Sequence, residues 1–471
     1  MLDIDKNKVF IGESDRLPQW EKNALNKIRV LLKNYLELDN VSLLFGAGSS
    51  IHLGSISIAN IPKVFEDELK KIANRTPDGA DEQAYQEFIQ IIKELQGSQD
   101  LIRTSDDPES PIKYQVEGLL NYLNALQFVS DQNPKLCSLE YLDEIITSIK
   151  KTLFELCDLD NLTATKSENK YNYHERLVKK VLQRPLNLKR ANIFTTNYDL
   201  AFENAFDNLG VNYIDGFSGF QNRTFKPETY DYDIYYPGST TQGKVSRIEK
   251  VIRYYKMHGS LTWVKTPASS ANIYGIKEYP IDLIRKLKDE PNQTLIGDIM
   301  IYPSATKKSY TLDFPYSELF RQFASAITQS QSVLFTYGYS FSDDHINDII
   351  FQALSIPSFT LIVVDYLGTK NVNINKLREL NDPRIIILEG SQLGDFLYFT
   401  QYVMPDLVEL NTDELVAATM NKIYSSEDDN RDGDEGTQSE DNTVIGVGQS
   451  IEPVQETPPN IELPDEDDLP F

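Results

Sequence analysis

Apolar positions fall into two rhythms along this chain. Largely apolar runs without in-and-out alternation occur at Val41-Ser42-Leu43-Leu44-Phe45, Ala191 to Thr196, Val251 to Met257, Ser332 to Tyr337, Phe359 to Asp365 and Ile385 to Leu388. That is the pattern of strands covered on both faces. Between them apolar residues recur at helical spacing. Gln19 to Leu38 carries Leu25, Ile28, Leu31, Leu32 and Tyr35 on one stripe. His174 to Leu182, Leu200 to Leu209, Pro315 to Gln329, Asp343 to Leu354, Ile374 to Leu380, Asp395 to Met404 and Thr412 to Tyr424 follow the same period. Strands alternating with helices predict an α/β fold, Rossmann-like, with a mostly parallel sheet covered on both sides.

One stretch departs from the alternation. From Val64 to about Asp160 the period is helical throughout, as in Ala84 to Leu95 and in Leu139 to Leu156, where Leu142, Ile145, Ile146, Ile149 and Leu153 share a stripe. The expected organisation is an N-terminal helix and first strand over 1–63, a helical insertion over 64–165, and the rest of the α/β domain over 166–424. The stripes of the insertion are expected to be core. Gly216 to Val251 is aromatic and irregular, with Tyr230, Tyr232, Tyr235 and Tyr236 close together.

Composition changes this picture at the C-terminal end only. The 471 residues are 40% hydrophobic and 25% charged, ordinary for a soluble chain of two or three domains. The net charge is −25, which argues against tight contact with a nucleic-acid backbone. Residues 425–471 hold 15 acids against Arg431 alone, which places −14 there and −11 in the body. A segment of that composition cannot bury enough apolar surface to order itself, so a disordered acidic tail is expected. No apolar run reaches membrane-span length. Met1 to Lys6 shows no basic-then-apolar leader, and a cytoplasmic location is expected. Cys137 and Cys157 are the only cysteines, too few for a disulfide framework or a four-thiolate zinc site, and helix packing positions are expected for both. No metal ligand set is expected.

The polar residues suited to chemistry collect at strand ends: Gly46-Ala47-Gly48-Ser49-Ser50, Thr195-Thr196-Asn197-Tyr198-Asp199, His258-Gly259-Ser260, Gly338 to Asp344, and Asp365. In open α/β sheets ligands bind outside the carboxyl ends of the strands. Gly46 and Gly48 permit a tight turn and close approach of a ligand to the main chain, and Ser49 and Ser50 follow where a phosphate would sit. Asn197 can bond a carboxamide or place water. An imidazole titrates near neutrality, so His258 suits a general base. Asp199 either stabilises a developing cation or caps the helix beginning at Leu200. Asp343 is read as a helix cap rather than a ligand. His52 is read as a loop histidine without a role, and His174 is unassigned.

Together these strings resemble the sirtuin family over roughly Val41 to Leu388, less the insertion. Gly46 to Ser50 is similar to the family's Gly-Ala-Gly-x-Ser loop, and Ile61-Pro62 to its following Ile-Pro. Thr195 to Asp199 stands at the nicotinamide-pocket motif, His258-Gly259 at the catalytic His-Gly, Gly338-Tyr339-Ser340 at the Gly-x-Ser that touches cofactor phosphate and ribose, and Asp365 at the adenosine ribose. The four zinc-ribbon cysteines and the Phe-Arg of the deacylases are missing. Thr-Thr-Asn-Tyr-Asp and Gly-Tyr-Ser-Phe-Ser-Asp-Asp-His resemble the bacterial sirtuin-like branch used in anti-phage defence. The resemblance implies a hydrolase that cleaves NAD as substrate in an abortive-infection response, without zinc. It implies Asn197, His258 and Asp199 as catalytic residues, and Gly46, Ala47, Gly48, Ser49, Ser50, Thr196, Gly338, Ser340 and Asp365 around NAD. It also implies a homo-oligomer, or work with a partner ATPase or a phage trigger protein. The alternatives are a deacylase or ADP-ribosyltransferase, and a non-catalytic module sensing NAD or ADP-ribose.

The last nine residues, Leu463 to Phe471, run acidic into Leu-Pro-Phe and resemble the C-terminal tip of bacterial single-stranded DNA-binding proteins. That resemblance implies partners that read such a tip through an apolar pocket and a basic rim.

Overall fold

The computed structural model describes residues 2–20, 23–55, 64–65, 67, 80–95, 102–104, 112–114, 116–132, 141–160, 170–236, 246–288 and 314–408. All of them fall in one compact unit, Met1–Asp413. The expected helix Thr412 to Tyr424, the Ile61-Pro62 pair, Cys137 and the acidic tail lie outside the described residues.

Among the described residues nine strands form the main sheet: β1 (Asn7–Ile11), β2 (Ser14–Asp15), β3 (Asn40–Phe45), β4 (Asn192–Thr195), β5 (Asn212–Ile214), β6 (Val251–Lys256), β7 (Ser332–Tyr337), β8 (Thr360–Asp365) and β9 (Ile385–Gly390). Their spatial order is β2-β1-β9-β8-β7-β3-β4-β6-β5. From β9 to β5 every neighbouring pair is parallel. The chain leaves β3 toward β4 on one side and returns on the other through β7, so the topology reverses between β3 and β7.

Each central strand buries both faces, which is why it lacks alternation. On β3, Leu43 and Phe45 join one core while Leu44 joins the other. The first core is closed by α1 (Ala24–Leu36) through Ile28, Leu32 and Leu36. The helices Asn172–Val181 and Ala201–Leu209 add Leu177, Val178, Phe202 and Phe206 to it. The second is closed by Tyr316–Ile327, Asp344–Leu354 and Val372–Glu379 through residues such as Phe323, Ile350 and Leu377.

Between β3 and β4 the described residues include three helices, Ala80–Leu95, Val116–Gln132 and Leu142–Cys157, which share a core of their own. Leu142, Ile145, Ile146, Ile149 and Leu153 are all buried in it. Phe154, on the same helix, instead packs with Leu261, Val264 and Ile284 beside the His258 loop. Cys157 ends that helix, and burial pushes its thiol up to about 12.

Three features depart from the sequence pattern. The first strand among the described residues is β1, not the Val41 run: Asn7–Ile11 pairs antiparallel with β9, Phe10 opposite Ile387, 377 residues away along the chain and so invisible to a local reading. The insertion carries a hairpin, Ile102–Thr104 against Ile112–Tyr114, whose three-residue strands are too short for a period to show. The irregular aromatic stretch contributes Phe217–Ser218 and Arg223–Phe225 to a four-stranded antiparallel sheet with Trp263–Lys265 and Ile276–Glu278. Its aromatics cluster, with Phe217 and Trp263 ring centroids 5.1 Å apart.

Candidate functional site

Strand register brings the chemistry to one level. Lys256 pairs with Thr195, Thr195 with Phe45, Phe45 with Tyr337 and Tyr337 with Val364, a single row across five parallel strands. Every expected site residue lies just beyond that row. Gly46, Thr196, Gly338 and Asp365 each follow it by one position, and Asn197 and His258 by two.

The glycine loop is built against its neighbour across the topological switch. Gly46 N–H donates to Tyr337 O at 3.0 Å and Gly48 N–H to Gly338 O at 3.1 Å. A Cβ on Gly48 would stand 2.5 Å from Gly338 Cα, and one on Gly46 would stand 2.5 Å from Gly338 O. Gly338 itself has φ +56°, open only to glycine without strain. The backbone that approaches these glycines in the structure is that of the neighbouring loop. Ala47–Ser49 and Ile51–Leu53 form two short 3₁₀ turns after Gly46.

Ser49 and Ser50 are fully buried. Their hydroxyls face Asn197, whose Nδ2 donates to Ser49 Oγ and Ser50 Oγ at 3.2 Å each. Ser49 Oγ in turn donates to Gly46 O at 2.8 Å. The serines therefore hold the amide side chain rather than presenting free hydroxyls. Thr195 completes the clamp: its Oγ1 accepts from Asn197 N–H at 3.0 Å and donates to Phe45 O at 3.2 Å. Asn197 Oδ1 has no hydrogen-bond partner among the described residues.

His258 follows β6 by way of Met257, whose N–H reaches Thr195 O at 2.8 Å. It is 9% exposed, and its Nε2 lies 3.0 Å from Asp343 Oδ2. Asp343 also caps the helix Asp344–Leu354, Oδ1 accepting from His345 N–H at 3.1 Å. The cap was legible in the sequence; the contact with His258 was not, since nothing local links the two positions. Tyr198, next to Asn197, brings its ring centroid within 6.4 Å of the imidazole, so both catalytic candidates share one edge.

Asp199 is buried, and its Oδ1 accepts from Ala201 N–H at 3.0 Å, the capping role of the two that the sequence offered. Lys256 is a residue that the sequence reading passed over. It is 3% exposed inside β6, and its Nζ binds Tyr198 O at 3.2 Å, Asp199 O, and Glu203 Oε1 at 2.8 Å. It thereby ties the loop carrying Asn197 to the strand that leads into His258. Burial raises the Glu203 carboxyl, against the pull of Lys256. A lysine two positions before the histidine, in an otherwise apolar run, was the available signal.

Of the remaining candidates, Asp365 and Ser340 follow β8 and β7, while Thr196 and Ala47 follow β4 and β3. Asp365 Oδ1 accepts from Leu367 N–H at 2.9 Å and Gly368 N–H at 2.7 Å, fixing its own turn. Burial lifts its carboxyl above the usual range, against those two N–H groups. Ser340 is exposed, its Oγ 2.9 Å from Ser342 Oγ. Thr196 N–H donates to Phe45 O at 3.0 Å, and Ala47 is half-buried.

His52 and His174 stand behind the glycine loop. Their rings stack at 5.4 Å, against Phe396, and none of their four ring nitrogens has a hydrogen-bond partner among the described residues. Among the described residues no group of three or more His, Cys, Asp or Glu is arranged to hold a metal ion. No helix among them is long and apolar enough to cross a membrane.

Residues 191–364 match the family model described as "SIR2-like domain". That stretch contains Asn197, Asp199, His258, Gly338, Ser340 and Asp343, and leaves Gly46 to Ser50 and Asp365 outside. No curated protein matches the chain. Among solved structures, a Sir2 homolog–NAD complex is 13% identical, with 75% of this chain and 91% of that chain covered and a TM-score of 0.33. A mutant Sir2 homologue with ADP ribose is 15% identical, with 75% and 94% covered and a TM-score of 0.30.

Proposed function

We propose that this chain binds NAD at the carboxyl edge of its parallel sheet and hydrolyses it to nicotinamide and ADP-ribose. One observation carries the reading. The Asn197 amide is clamped by Ser49 and Ser50 with its carbonyl open, and His258 follows the adjacent strand at the matching register position. The match to the SIR2-like domain model spans both residues.

Breaking the bond between nicotinamide and ribose leaves positive charge on the ribose as the neutral base departs with the bonding pair. A fixed acceptor for the carboxamide N–H groups orients that leaving group, which Asn197 Oδ1 supplies. Water then adds to the ribose carbon and gives up a proton, which His258 takes as general base. Gly46 to Ser50, Thr196, Gly338, Ser340 and Asp365 line the edge along which the pyrophosphate and the adenosine ribose would lie. Asp199 serves by fixing the turn after Asn197. Zinc has no part in this reading.

The cellular role that goes with it is depletion of NAD as the effector of an anti-phage response, silent until infection, in an oligomer or with a partner ATPase or phage trigger. The support is the resemblance of Thr195 to Asp199 and of Gly338 to His345 to that branch of the family. The acidic Leu-Pro-Phe end would recruit proteins that read such tips, and deleting Leu469 to Phe471 is expected to abolish that capture while leaving NAD hydrolysis intact. The test of the reaction is incubation of the full chain with labelled NAD, with and without phage lysate, following free nicotinamide and the fate of the ADP-ribose. Free ADP-ribose supports hydrolysis. Label retained on protein or on an acyl group would instead establish a transferase.

A further inference from the structure

We propose that Asp343 is a positioning residue for His258: its carboxylate holds the imidazole proton on Nε2 and so leaves Nδ1 as the nitrogen that meets substrate.

The carboxylate is an acceptor only, so the ring nitrogen 3.0 Å from Asp343 Oδ2 must carry the hydrogen. A neutral imidazole has one N–H, which puts the lone pair on Nδ1. Nδ1 has no hydrogen-bond partner among the described residues. A helix cap needs only one carboxylate oxygen, and Oδ1 fills that role on His345 N–H at 3.1 Å. Oδ2 is the additional feature, and its aim is fixed because Oδ1 is held. Negative charge is also favoured at the N-terminus of the eleven-residue helix Asp344–Leu354.

The segment before Asp343 is shaped to hold that aim. Phe341 sits at φ +53°, a strained conformation for a residue with a Cβ. Its carbonyl is gripped from two helices, by Asn347 Nδ2 at 2.9 Å and Asn373 Nδ2 at 2.8 Å. Tyr339 OH stands 3.2 Å from Asp343 O and 3.1 Å from Asn347 Oδ1. A buried base oriented by a buried carboxylate is the geometry that selects one tautomer.

The kinetic consequence rests on the NAD-hydrolase reading; the tautomer does not. Asp343→Asn keeps the shape and the cap but removes the obligatory acceptor. Asp343→Ser keeps a cap and cannot reach the imidazole. In both variants kcat for nicotinamide release is expected to fall by about 100-fold or more, with KM changed by no more than about threefold, because a base acts in the transition state rather than in binding. Thermal melts establish that each variant folds. In parallel, the full chain labelled with 15N-histidine is observed by NMR, the His258 signal being assigned by its loss in His258→Gln. The wild type is expected to show the Nε2–H tautomer, and Asp343→Asn a mixture or the Nδ1–H form. An Nδ1–H wild type would overturn the proposal, as would wild-type kcat and an unchanged tautomer in folded Asp343→Asn. If the wild type releases no nicotinamide, the hydrolase reading fails and the NMR result alone decides this inference.

Discussion

At the residue scale the Asn197 amide separates two duties between its two ends. Nδ2 belongs to the fold, bonded to Ser49 and Ser50, and Oδ1 is the end that the proposed reading gives to the ligand. Asn197→Ala is therefore expected to abolish NAD loss and also to cost about 1–3 kcal/mol, since two buried hydroxyls lose their donor. His258→Ala is expected to abolish NAD loss with a smaller effect on stability; activity assays beside urea unfolding separate the two. The imidazoles behind the glycine loop give a pH dependence. Burial pushes His52 down from 6.5 to about 4, against the pull of Asp395, and lowers His174 well below its ordinary value. Between about pH 6.5 and 4 the unfolded chain binds a proton at His52 that the folded chain refuses, so stability is full above that window and falls as the pH drops through it. The His52 contribution to the loss is ~3 kcal/mol. Unfolding free energies at pH 7 and pH 4.5 should differ accordingly, and replacing both histidines by Phe should flatten the difference. An equally steep loss in that double variant would assign the acid sensitivity to other groups.

At the element scale the site is a matter of strand ends meeting. Gly48→Ala would place a methyl 2.5 Å from Gly338 Cα, backbone against backbone, with no flexible side chain to yield. A cost of about 1–3 kcal/mol is expected, together with loss of NAD turnover as the two loops part. Lys256 and Glu203 form the tie between the loop of Asn197 and the strand that leads into His258. Removing one partner of a buried pair leaves a charge uncompensated, so Lys256→Met is expected to cost about 3–5 kcal/mol. Combining it with Glu203→Leu should recover much of that loss, read by urea unfolding. These residues also show what was legible in sequence. The glycine loop, Asn197 and His258 stood out because glycine, amide and imidazole interrupt apolar runs. The cap at Asp343 showed because capping is local. Its second oxygen on His258, the Lys256 tie and the pairing of β1 with β9 are contacts between distant segments, and periodicity carries no record of those. The strands around Phe217 and Arg223 are two and three residues long, below the length at which alternation can be read.

At the scale of the molecule, one row of paired residues, Lys256, Thr195, Phe45, Tyr337 and Val364, sets the level of every group assigned to NAD. The α/β alternation of the sequence implied such an edge, but the strand order that places β7 beside β3 and β4 between β3 and β6 comes only from the folded chain. The helices between β3 and β4 reach this edge through Phe154, which packs with Leu261 beside the His258 loop. The most direct measurement is the release of nicotinamide from NAD by the purified full chain, with and without phage lysate, set beside Asn197→Ala and His258→Ala proteins shown to be folded. The expected result is nicotinamide and free ADP-ribose from the wild type in at least one condition and neither from the variants. No nicotinamide under any condition, or undiminished release by both variants, would contradict the assignment of this edge as an NAD-cleaving site.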